Sequence, residues 1–352
     1  HSRLEVMNDL PTIDFGSDNR APVAPEILRA IAAEAEGTAP AYGGDESTAR
    51  LERLFEGLFE RPVWAFPVAT GTAANALAIS HLCPAWGAVF CHTNAHVHVD
   101  ECGAPEFFGG GTKLLPLGTG PKITAADLVE ALATHSPSVH QIQPTVLTLA
   151  QSSEWGGTYS VTEIQSLTRV AREAGLRTHM DGARFANALA FLNASPAEVT
   201  WKAGIDVLSF GATKNGGLMA EAVVFFDEDL AQGFAYRRKR AGQLLSKMRY
   251  VSVQLEASVA EGRWLSYAKR ANAMASRLHA GLSQIEGVSL PYPCEANIVF
   301  ADLPEGMADS LRAKGFVFFG WGSGRVRLVT SYATLPTEVD ALVEAVRALS
   351  TR

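Results

Sequence analysis

The sequence has few cysteines, no long apolar run and no excess of basic residues. Its four cysteines form no Cys-x-x-Cys pair and have no regular spacing, which is typical of reduced thiols in a cytoplasmic protein. No apolar stretch is long enough to cross a membrane, and we find no signal peptide. The net charge of −7 argues against nucleic acid or an anionic membrane as the main partner.

What the sequence does contain is typical of a globular protein with a large core. Of its 352 residues, 47% are hydrophobic and 19% are charged. Short apolar runs alternate with amphipathic helical patterns through the first two thirds of the chain. This order predicts an α/β fold, with a mainly parallel sheet covered by helices on both faces. We expect strands at 63–69, 87–92, 112–117, 145–150, 176–181, 206–213 and 221–227.

The composition and periodicity of the sequence change twice along the chain. Residues 1–24 are rich in proline and lack periodicity, which indicates an extended N-terminal arm. Residues 25–251 carry the alternating pattern of the large domain. From residue 252, long helices are followed by strand patterns and a last helix, which predicts a smaller C-terminal α+β domain over 252–352.

Two candidate residues follow neighbouring apolar strands. Asp181 ends the run "LRTHMD" (176–181), and Lys214 comes directly after "DVLSFGAT" (206–213). Asp181 alone is also compatible with a helix N-cap. Because ligands gather at the carboxyl ends of strands in open α/β sheets, we expect both side chains to point into one crevice. Desolvation there lowers the pKa of a lysine and frees its amine to react with a carbonyl group.

A third candidate feature is the small-residue turn "ATGTAANA" (69–76), which opens a helix. Its free backbone N–H groups suit a phosphate. A reactive amine, a carboxylate that pairs with a ring nitrogen and a phosphate cradle are together what pyridoxal phosphate requires. In this interpretation Asp181 keeps the ring nitrogen protonated, and Arg184 acts nearby on an anion. The sequence therefore predicts a pyridoxal-phosphate site.

With these residues in view, nearly the whole chain resembles the fold-type I pyridoxal-phosphate enzymes, and among them the L-threonine aldolase and phenylserine aldolase group of the β-eliminating lyases. Each motif is weak alone, but their common order is specific, and "HMDGARFANA" is the most specific of them. The matching stretches are "DFGSDN" (14–19), "YGGDESTARLE" (42–52), "ATGTAAN" (69–75), "HVHVDECGA" (96–104), "HMDGARFANA" (179–188), "TKNG" (213–216), "RRKRAGQ" (237–243), "MR" (248–249) and "RLVTSYAT" (327–334).

The resemblance implies a role in coenzyme binding for several matching residues. Lys214 corresponds to the lysine that forms a Schiff base with the coenzyme, and Asp181 corresponds to the partner of the pyridine nitrogen. Gly71 and Thr72 match the phosphate-binding turn, and His96 matches a histidine that stacks on the coenzyme ring. Arg184 is expected beside the coenzyme as well.

The resemblance also implies a binding site for the substrate carboxylate. Ser17, Arg184 and Arg327 match the residues of that site, and the planar guanidinium of arginine suits bidentate pairing with a carboxylate. Tyr42 and Arg238 match positions near the site. Members of the group form dimers or tetramers with shared active sites, so a homodimer or homotetramer is expected here too.

The sequence departs from the group's pattern in "AQSSEWGG" (150–157). Many members have Glu-Asn-Thr-His here, and that histidine is a candidate for handling the β-hydroxyl of the substrate. In this chain Gln151 and Glu154 stand in place of the glutamate and the histidine. The base is therefore Glu154, His96 or a water held by either, and Glu154 would need a raised pKa. The change also alters the expected shape of the pocket near the substrate side chain, so we expect a preference other than threonine, such as phenylserine.

These features predict an aldehyde-lyase that cleaves L-β-hydroxy-α-amino acids, of the threonine, allo-threonine or phenylserine type, to glycine and an aldehyde. The alternatives are another fold-type I enzyme, such as an aminotransferase or a β-eliminating lyase, and a catalytically silent binding protein with the same fold. A nucleotide-binding Rossmann-type protein is a third alternative. However, no acidic residue follows the glycine-rich stretch "FFGGGTK" (107–113) at the spacing of a Rossmann fold.

Two other stretches suggest chemistry that we do not expect. "CHTNAHVHVD" (91–100) offers histidines and an aspartate, but no second ligand cluster accompanies them, so no metal site is predicted. Residues 96, 98 and 100 alternate in the way of a strand or an extended loop. The aromatic stretch "VFFGWG" (317–322) is expected to serve core packing and a turn.

Overall fold

The computed structural model describes residues 12–322 and 324–350. In these two ranges the strands are, in chain order, β1 (Ile13–Asp14), β2 (Trp64–Val68), β3 (Gly87–His92), β4 (Lys113–Leu117), β5 (Gln143–Ala150), β6 (Arg177–Gly182), β7 (Val207–Gly211), β8 (Glu221–Phe225), β9 (Ile298–Asp302), β10 (Phe316–Val317), β11 (Phe319–Gly320) and β12 (Arg325–Val329).

The α-helices of the same ranges are α1 (Pro25–Ala33), α2 (Glu46–Phe59), α3 (Gly71–Leu82), α4 (His96–Val99), α5 (Ala104–Gly109), α6 (Ala125–Ala133), α7 (Val161–Glu173), α8 (Phe185–Leu192), α9 (Pro196–Val199), α10 (Glu228–Ala231), α11 (Phe234–Arg240), α12 (Arg249–Val259), α13 (Arg263–Leu282), α14 (Met307–Ala313) and α15 (Pro336–Ser350). None of these helices is both long and apolar enough to span a bilayer.

The largest sheet has seven strands in the order β2-β8-β7-β6-β5-β3-β4. The pairs among β3, β4, β5, β6 and β7 are parallel, whereas β8 runs antiparallel to both of its neighbours. The predicted fold class, a mainly parallel α/β sheet, is therefore confirmed. A parallel arrangement brings the carboxyl ends of β5, β6 and β7 to the same edge of the sheet, where ligands bind in open α/β folds.

The sheet is buried on both faces, as its continuous apolar runs predict. Along β8, Ala222 and Val224 belong to the main core, whereas Val223 and Phe225 pack with residues of α3 on the opposite face. This alternation follows from the strand period of two residues. Helices therefore cover both faces, and α3 approaches the sheet from one side with its N-terminus at the edge where the strands end.

The helix α7 illustrates how local sequence signals produce these elements. Ser160 and Glu163 form a reciprocal capping box at its N-terminus. Ile164, Leu167 and Ala171 are buried at helical spacing, so one face of the helix packs on the main core. Both signals are local features of the sequence.

A second core lies around the antiparallel sheet β11-β12-β9 and the helices α13 and α15. The segment before α1 joins this core, because β1 pairs with β10 and Phe15 is fully buried in it. The helix α13 contributes Trp264 and Ala268 to the main core and Leu278 and Leu282 to the second core. The predicted boundaries of the arm, the large domain and the small domain, at 24/25 and 251/252, stay predictions. Residues 1–11 of the arm lie outside the described ranges.

Candidate active site

A cavity of about 200 Å³ lies where β5, β6 and β7 end and α3 begins. Its walls come from segments throughout the chain, including the second core. Nine candidate site residues line it, namely Ser17, Gly71, Thr72, His96, Glu154, Asp181, Arg184, Lys214 and Arg327. Tyr42 and Arg238, which the resemblance placed near the site, are not among the residues that line it. The crevice expected from the strand order therefore exists, and the residues that carry chemistry face it together.

Asp181 lies buried at the carboxyl end of β6. The N–H of Ala183 donates to its Oδ1 at 2.9 Å, and Nδ2 of Asn75 donates to its Oδ2 at 2.9 Å. Burial opposes ionisation, but the Ala183 N–H and the charges of Lys214 and His96 outweigh it and lower the pKa of Asp181. The carboxyl group is therefore an anion at neutral pH. The following helix, α8, has Arg184 at its N-cap position, so Asp181 is not the N-cap of that helix.

Gly182 follows Asp181 because the neighbouring strand approaches too closely for a side chain. A Cβ at this position would lie 2.6 Å from the carbonyl oxygen of Ser209 on β7. Behind Asp181, the ring of His179 is held between the hydroxyls of Thr148 and Ser209 at 2.8 and 2.9 Å. Burial lowers the pKa of His179 to about 4, so its ring is neutral and supports the end of β6 as a structural side chain.

Lys214 is carried by a short 3-10 turn, Thr213–Asn215, directly after β7. Burial, followed by the nearby guanidinium of Arg184, lowers the pKa of the amine against the attraction of Asp18, Asp181 and Glu221. No hydrogen bond of the amine to another described residue is present, although it lines the cavity. A desolvated amine without a fixed partner is suited to attack a carbonyl group.

The turn before α3 presents backbone donors to the same cavity. The Thr70 side chain caps the helix by accepting from the N–H of Ala73 at 3.1 Å. The N–H groups of Gly71 and Thr72 find no acceptor among the described residues, and both residues line the cavity. Free N–H groups at a helix N-terminus attract an anion such as phosphate.

Two guanidinium groups, those of Arg184 and Arg327, line the same cavity. Arg184 forms a bidentate pair with Asp18, with its Nε and Nη2 at 2.7 and 2.9 Å from the two carboxylate oxygens. Asn297 also donates to Asp18 at 2.9 Å. Burial opposes the ionisation of Asp18, but Arg184 and Lys214 lower its pKa, so this pair is charged and fixes the orientation of Arg184.

Arg327, on β12, has no such partner within the described ranges, and its buried Nε makes no hydrogen bond. Burial, followed by the charge of Arg184, lowers the pKa of Arg327 to about 10. It remains a cation at neutral pH. A cation that faces a cavity without an ion-pair partner is suited to bind an anionic ligand.

His96 is the first residue of α4, and its ring is tied to a buried carboxylate. Nδ1 lies 2.8 Å from Oε1 of Glu101, and the same oxygen accepts from Nδ2 of Asn75 at 2.8 Å. This hydrogen bond with Glu101 raises the pKa of His96. The expected extended geometry of residues 96, 98 and 100 is wrong. Residues His96–Val99 form one helical turn, closed by the N–H of Asp100 on the carbonyl of His96.

Glu154 borders the cavity from the loop after β5. Its Oε1 accepts from the backbone N–H of His96 at 3.0 Å. Burial, reinforced by the negative charge of Asp181, raises the pKa of Glu154 to about 7. This carboxyl group therefore exchanges a proton near neutral pH, which the sequence analysis required of a base at this position.

The loop of Glu154 is anchored by an aromatic cluster that is separate from the second core. The Trp155 ring packs against Tyr292, Phe300 and Trp321, with centroid separations of 4.6, 5.2 and 5.8 Å. Trp321 also lines the cavity. The expectation that "VFFGWG" serves only packing and a turn is therefore wrong for Trp321, since the turn between β11 and β12 presents its ring to the site.

Several residues at the site have a role that only the structure reveals. Asp18, Asn75 and Glu101 lie within the stretches "DFGSDN", "ATGTAAN" and "HVHVDECGA", which carried the resemblance and could have pointed to them. Glu221 faces Lys214 from β8, and no sequence signal marked it. Across the described ranges, no three His, Cys, Asp or Glu side chains are arranged to hold a metal ion.

Comparison with known proteins agrees with this arrangement. Residues 14–305 match the beta-eliminating lyase family. A low specificity L-threonine aldolase of Pseudomonas aeruginosa is 44% identical over 338 residues, which cover 96% of this chain and 97% of that protein. Another, from a Pseudomonas species, is 44% identical over 337 residues, or 95% of this chain and 97% of that protein.

A solved structure, that of Leishmania major threonine aldolase, has a TM-score of 0.89 to this chain at 28% identity. The match covers 97% of this chain and 100% of that one. The predicted resemblance is confirmed, and the chain belongs to the beta-eliminating lyase family.

Proposed function

We propose that this protein is a pyridoxal-phosphate-dependent aldolase that cleaves L-β-hydroxy-α-amino acids to glycine and an aldehyde. One observation carries the proposal: the amine of Lys214, the ionised carboxylate of Asp181 and the unpaired guanidinium of Arg327 face one cavity. The Pseudomonas relatives, which are named low specificity L-threonine aldolases, support amino acids of this class as substrates.

The residues of the cavity fit the coenzyme group by group. Lys214 offers an amine to its aldehyde, Asp181 offers a carboxylate to its ring nitrogen, and the N–H groups of Gly71 and Thr72 suit its phosphate. His96 is available to cover one face of the ring. When bound, pyridoxal phosphate supplies an electron-withdrawing ring that accepts the electron pair released at the Cα of the amino acid.

The carboxylate of the amino acid belongs beside Arg327 and Arg184 in this proposal. Arg327 has no anionic partner among the described residues, whereas Arg184 is held in place by Asp18. Ser17 also lines the cavity. Fixing the carboxylate orients the Cα–Cβ bond, and such positioning contributes at most about 7–11 kcal/mol to lowering a barrier in ideal intramolecular systems.

Glu154 is the proposed base for the β-hydroxyl group. In the cleavage, its carboxylate takes the hydroxyl proton, the C–O bond becomes a carbonyl, and the Cα–Cβ bond breaks with its electron pair left on Cα. A proton then returns to Cα to give glycine. A pKa of about 7 suits a group that must both accept and return a proton near neutral pH. His96, with Nε2 free of described partners, is the second candidate for proton transfer.

The wall formed by Trp321 supports a preference for substrates with an aryl side chain, of the phenylserine type. Its ring lies in the cavity and packs on Trp155, the neighbour of Glu154. An aromatic wall favours an aryl substituent through offset or edge-to-face contacts, worth about 0.5–1.5 kcal/mol beyond area burial. Threonine and allo-threonine, which carry only a methyl group, gain less from it.

The deciding experiment is an assay of glycine and aldehyde release from L-threonine, L-allo-threonine and both diastereomers of phenylserine. We expect the purified protein to be yellow and to release glycine without any keto acid. Lys214→Ala is expected to lose the visible absorption and the activity. Release of no glycine from any of the four substrates, or a requirement for a keto acid, would contradict the proposal.

We also propose that the protein works in the cytoplasm as a homodimer or homotetramer with shared active sites. The four cysteines, none of them disulfide-bonded, are in keeping with a reducing compartment. Large exposed aromatic side chains such as Trp86, Phe107 and Tyr236, which are 73–82% exposed, offer apolar surface for contact with another copy. Light scattering after size-exclusion chromatography tests the assembly, since a monomer at working concentration would contradict it.

A further inference from the structure

A chain of hydrogen bonds runs behind the cavity from His96 to Asp181. Oε1 of Glu101 lies 2.8 Å from Nδ1 of His96 and 2.8 Å from Nδ2 of Asn75. The second hydrogen of the same Asn75 nitrogen is directed to Oδ2 of Asp181 at 2.9 Å. One amide thus bridges two carboxylates, and one of these carboxylates holds the histidine that lines the cavity.

Glu101 is buried within this chain of contacts. Its side chain is fully buried, and its Oε2 finds no hydrogen-bond partner among the described residues. Burial raises the pKa of Glu101 against the hydrogen bonds from His96 and Asn75. A buried carboxyl group that contacts a histidine is costly in stability, because burial removes the water that solvates its charge.

We propose that Glu101 is the positioning residue of His96 and acts through it on the reaction. Because Glu101 accepts a hydrogen bond from Nδ1 of His96, the proton of the neutral ring stays on Nδ1. Nε2 then faces the cavity without a proton and is the atom that exchanges protons. Asn75 keeps this pair at a fixed separation from Asp181. The proposal rests on the proposed function, since it assumes that His96 works beside a bound coenzyme.

The groups that face His96 come from four separate elements. Glu101 follows α4, Asp181 ends β6, and Lys214 lies in the turn after β7. Glu154, from the loop after β5, accepts the backbone N–H of His96 and not its ring. Of these, only Glu101 makes a hydrogen bond to the imidazole, so the orientation of the ring depends on it.

The first test is made on the wild-type protein with 15N-labelled histidine. The ring nitrogens of His96, assigned by the loss of their signals in His96→Gln, report which atom carries the proton in the neutral form. We expect a protonated Nδ1 and an unprotonated Nε2. A neutral ring with its proton on Nε2 would overturn the proposal, and this outcome requires no variant of Glu101.

The second test replaces Glu101 with its neutral isostere, with a matched control. Glu106→Gln is the control because Glu106 is a nearby residue of α5 that also has a buried Oε2 without a described partner, yet does not line the cavity. In Glu101→Gln we expect the titration midpoint of His96 to move to lower pH, since the carboxylate that stabilises the imidazolium is lost. Glu106→Gln should titrate as the wild type does.

Kinetics and spectroscopy complete this test. We expect kcat of Glu101→Gln to fall roughly tenfold or more, with a changed pH profile, while the visible absorption of the bound coenzyme at pH 7 is retained. An unchanged His96 midpoint together with an unchanged pH profile would overturn the inference. If instead the wild type releases no glycine, the proposed function fails, whereas the nitrogen measurements still decide whether Glu101 holds His96.

Discussion

A single carboxyl group, that of Glu154, sets the pH dependence expected of the cleavage. Its folded pKa of about 7 means that the basic form accumulates as the pH rises through 7. The value of kcat should therefore rise with pH across that range. In Glu154→Gln we expect kcat to fall roughly 100-fold and the acidic limb of the profile to disappear. If Glu154→Gln keeps the wild-type pH dependence of kcat, Glu154 is not the base, and His96 becomes the candidate for that role.

The unpaired guanidinium of Arg327 should be needed for binding the amino acid. Arg327→Lys keeps the positive charge but loses the planar fork, so KM should rise roughly 10- to 100-fold, the range expected for charge-assisted hydrogen bonds. The matched control is Arg325→Lys on the same strand, because Arg325 pairs with Asp302 and does not line the cavity. Equal KM values for the two variants would contradict this role.

The sequence predicts the residues of the site better than their partners. Lys214, Asp181 and the turn at Gly71 follow from strand ends and a helix start, which are local features. The pairing of Arg184 with Asp18 joins residues 166 positions apart, and that of Asn75 with Asp181 joins residues 106 apart. Such pairings depend on the complete fold, and nothing in the local spacing indicates them.

At the scale of elements, the close approach of β6 and β7 explains the glycine after Asp181. In Gly182→Ala the new Cβ would meet the Ser209 carbonyl at 2.6 Å and Leu208 Cδ1 at 2.8 Å. Overpacking of this kind costs about 1–3 kcal/mol, so the free energy of unfolding should fall by that amount. It should also disturb the Asp181 carboxylate and weaken binding of the coenzyme.

The control for this substitution is Gly57→Ala in α2. A Cβ there would meet nothing within 4 Å, and the backbone is helical. Alanine in the interior of a helix is favoured over glycine by about 0.5–1 kcal/mol, so this variant should be slightly more stable than the wild type. Urea unfolding of both variants measures the difference. A Gly182→Ala protein as stable as the wild type would show that the two strands separate easily.

Helices and strands with strong periodicity are the elements that the sequence predicts well. The helix α7 has a capping box and a regular buried face, and β8 is an apolar run after its first residue, Glu221. The turn at His96–Val99 was missed because three alternating polar residues give the same pattern in a strand, an extended loop or one helical turn. Such a short segment takes its conformation from its neighbours rather than from its own periodicity.

At the scale of the whole molecule, the cavity is assembled from both ends of the chain. Ser17 precedes α1, Lys214 lies in the 3-10 turn after β7 of the large sheet, and Arg327 lies on β12 of the small antiparallel sheet. The pairing of β1 with β10 brings the segment of Ser17 to that core. Sequence patterns indicate that two such units exist, but their relative placement depends on packing between distant surfaces. The size of the cavity and the placement of the two units around it were therefore beyond sequence analysis.

The buried Glu221 should make the stability of the whole molecule depend on pH. Burial raises its pKa to about 7, against the hydrogen bond with Thr213 and the charge of Lys214, from an ordinary value of 4.5. Below pH 4.5 the group is protonated in both the folded and the unfolded state, and its contribution to stability is complete. As the pH rises through 7 the folded protein must ionise a buried carboxyl group, and that contribution is lost.

Glu221→Gln removes this ionisation while keeping the shape of the side chain. The free energy of unfolding of the variant, taken relative to that of the wild type, should therefore be higher at pH 8 than at pH 5. The increase should be roughly 3 kcal/mol at most. Because His179 and the other titrating groups are present in both proteins, the comparison at the two pH values isolates Glu221. The exposed Glu305, changed to Gln, serves as the control and should show no such difference. Urea unfolding at both pH values measures the stability of each variant relative to the wild type. If this relative stability changes equally with pH in Glu221→Gln and Glu305→Gln, the ionisation of Glu221 carries no cost in the folded protein.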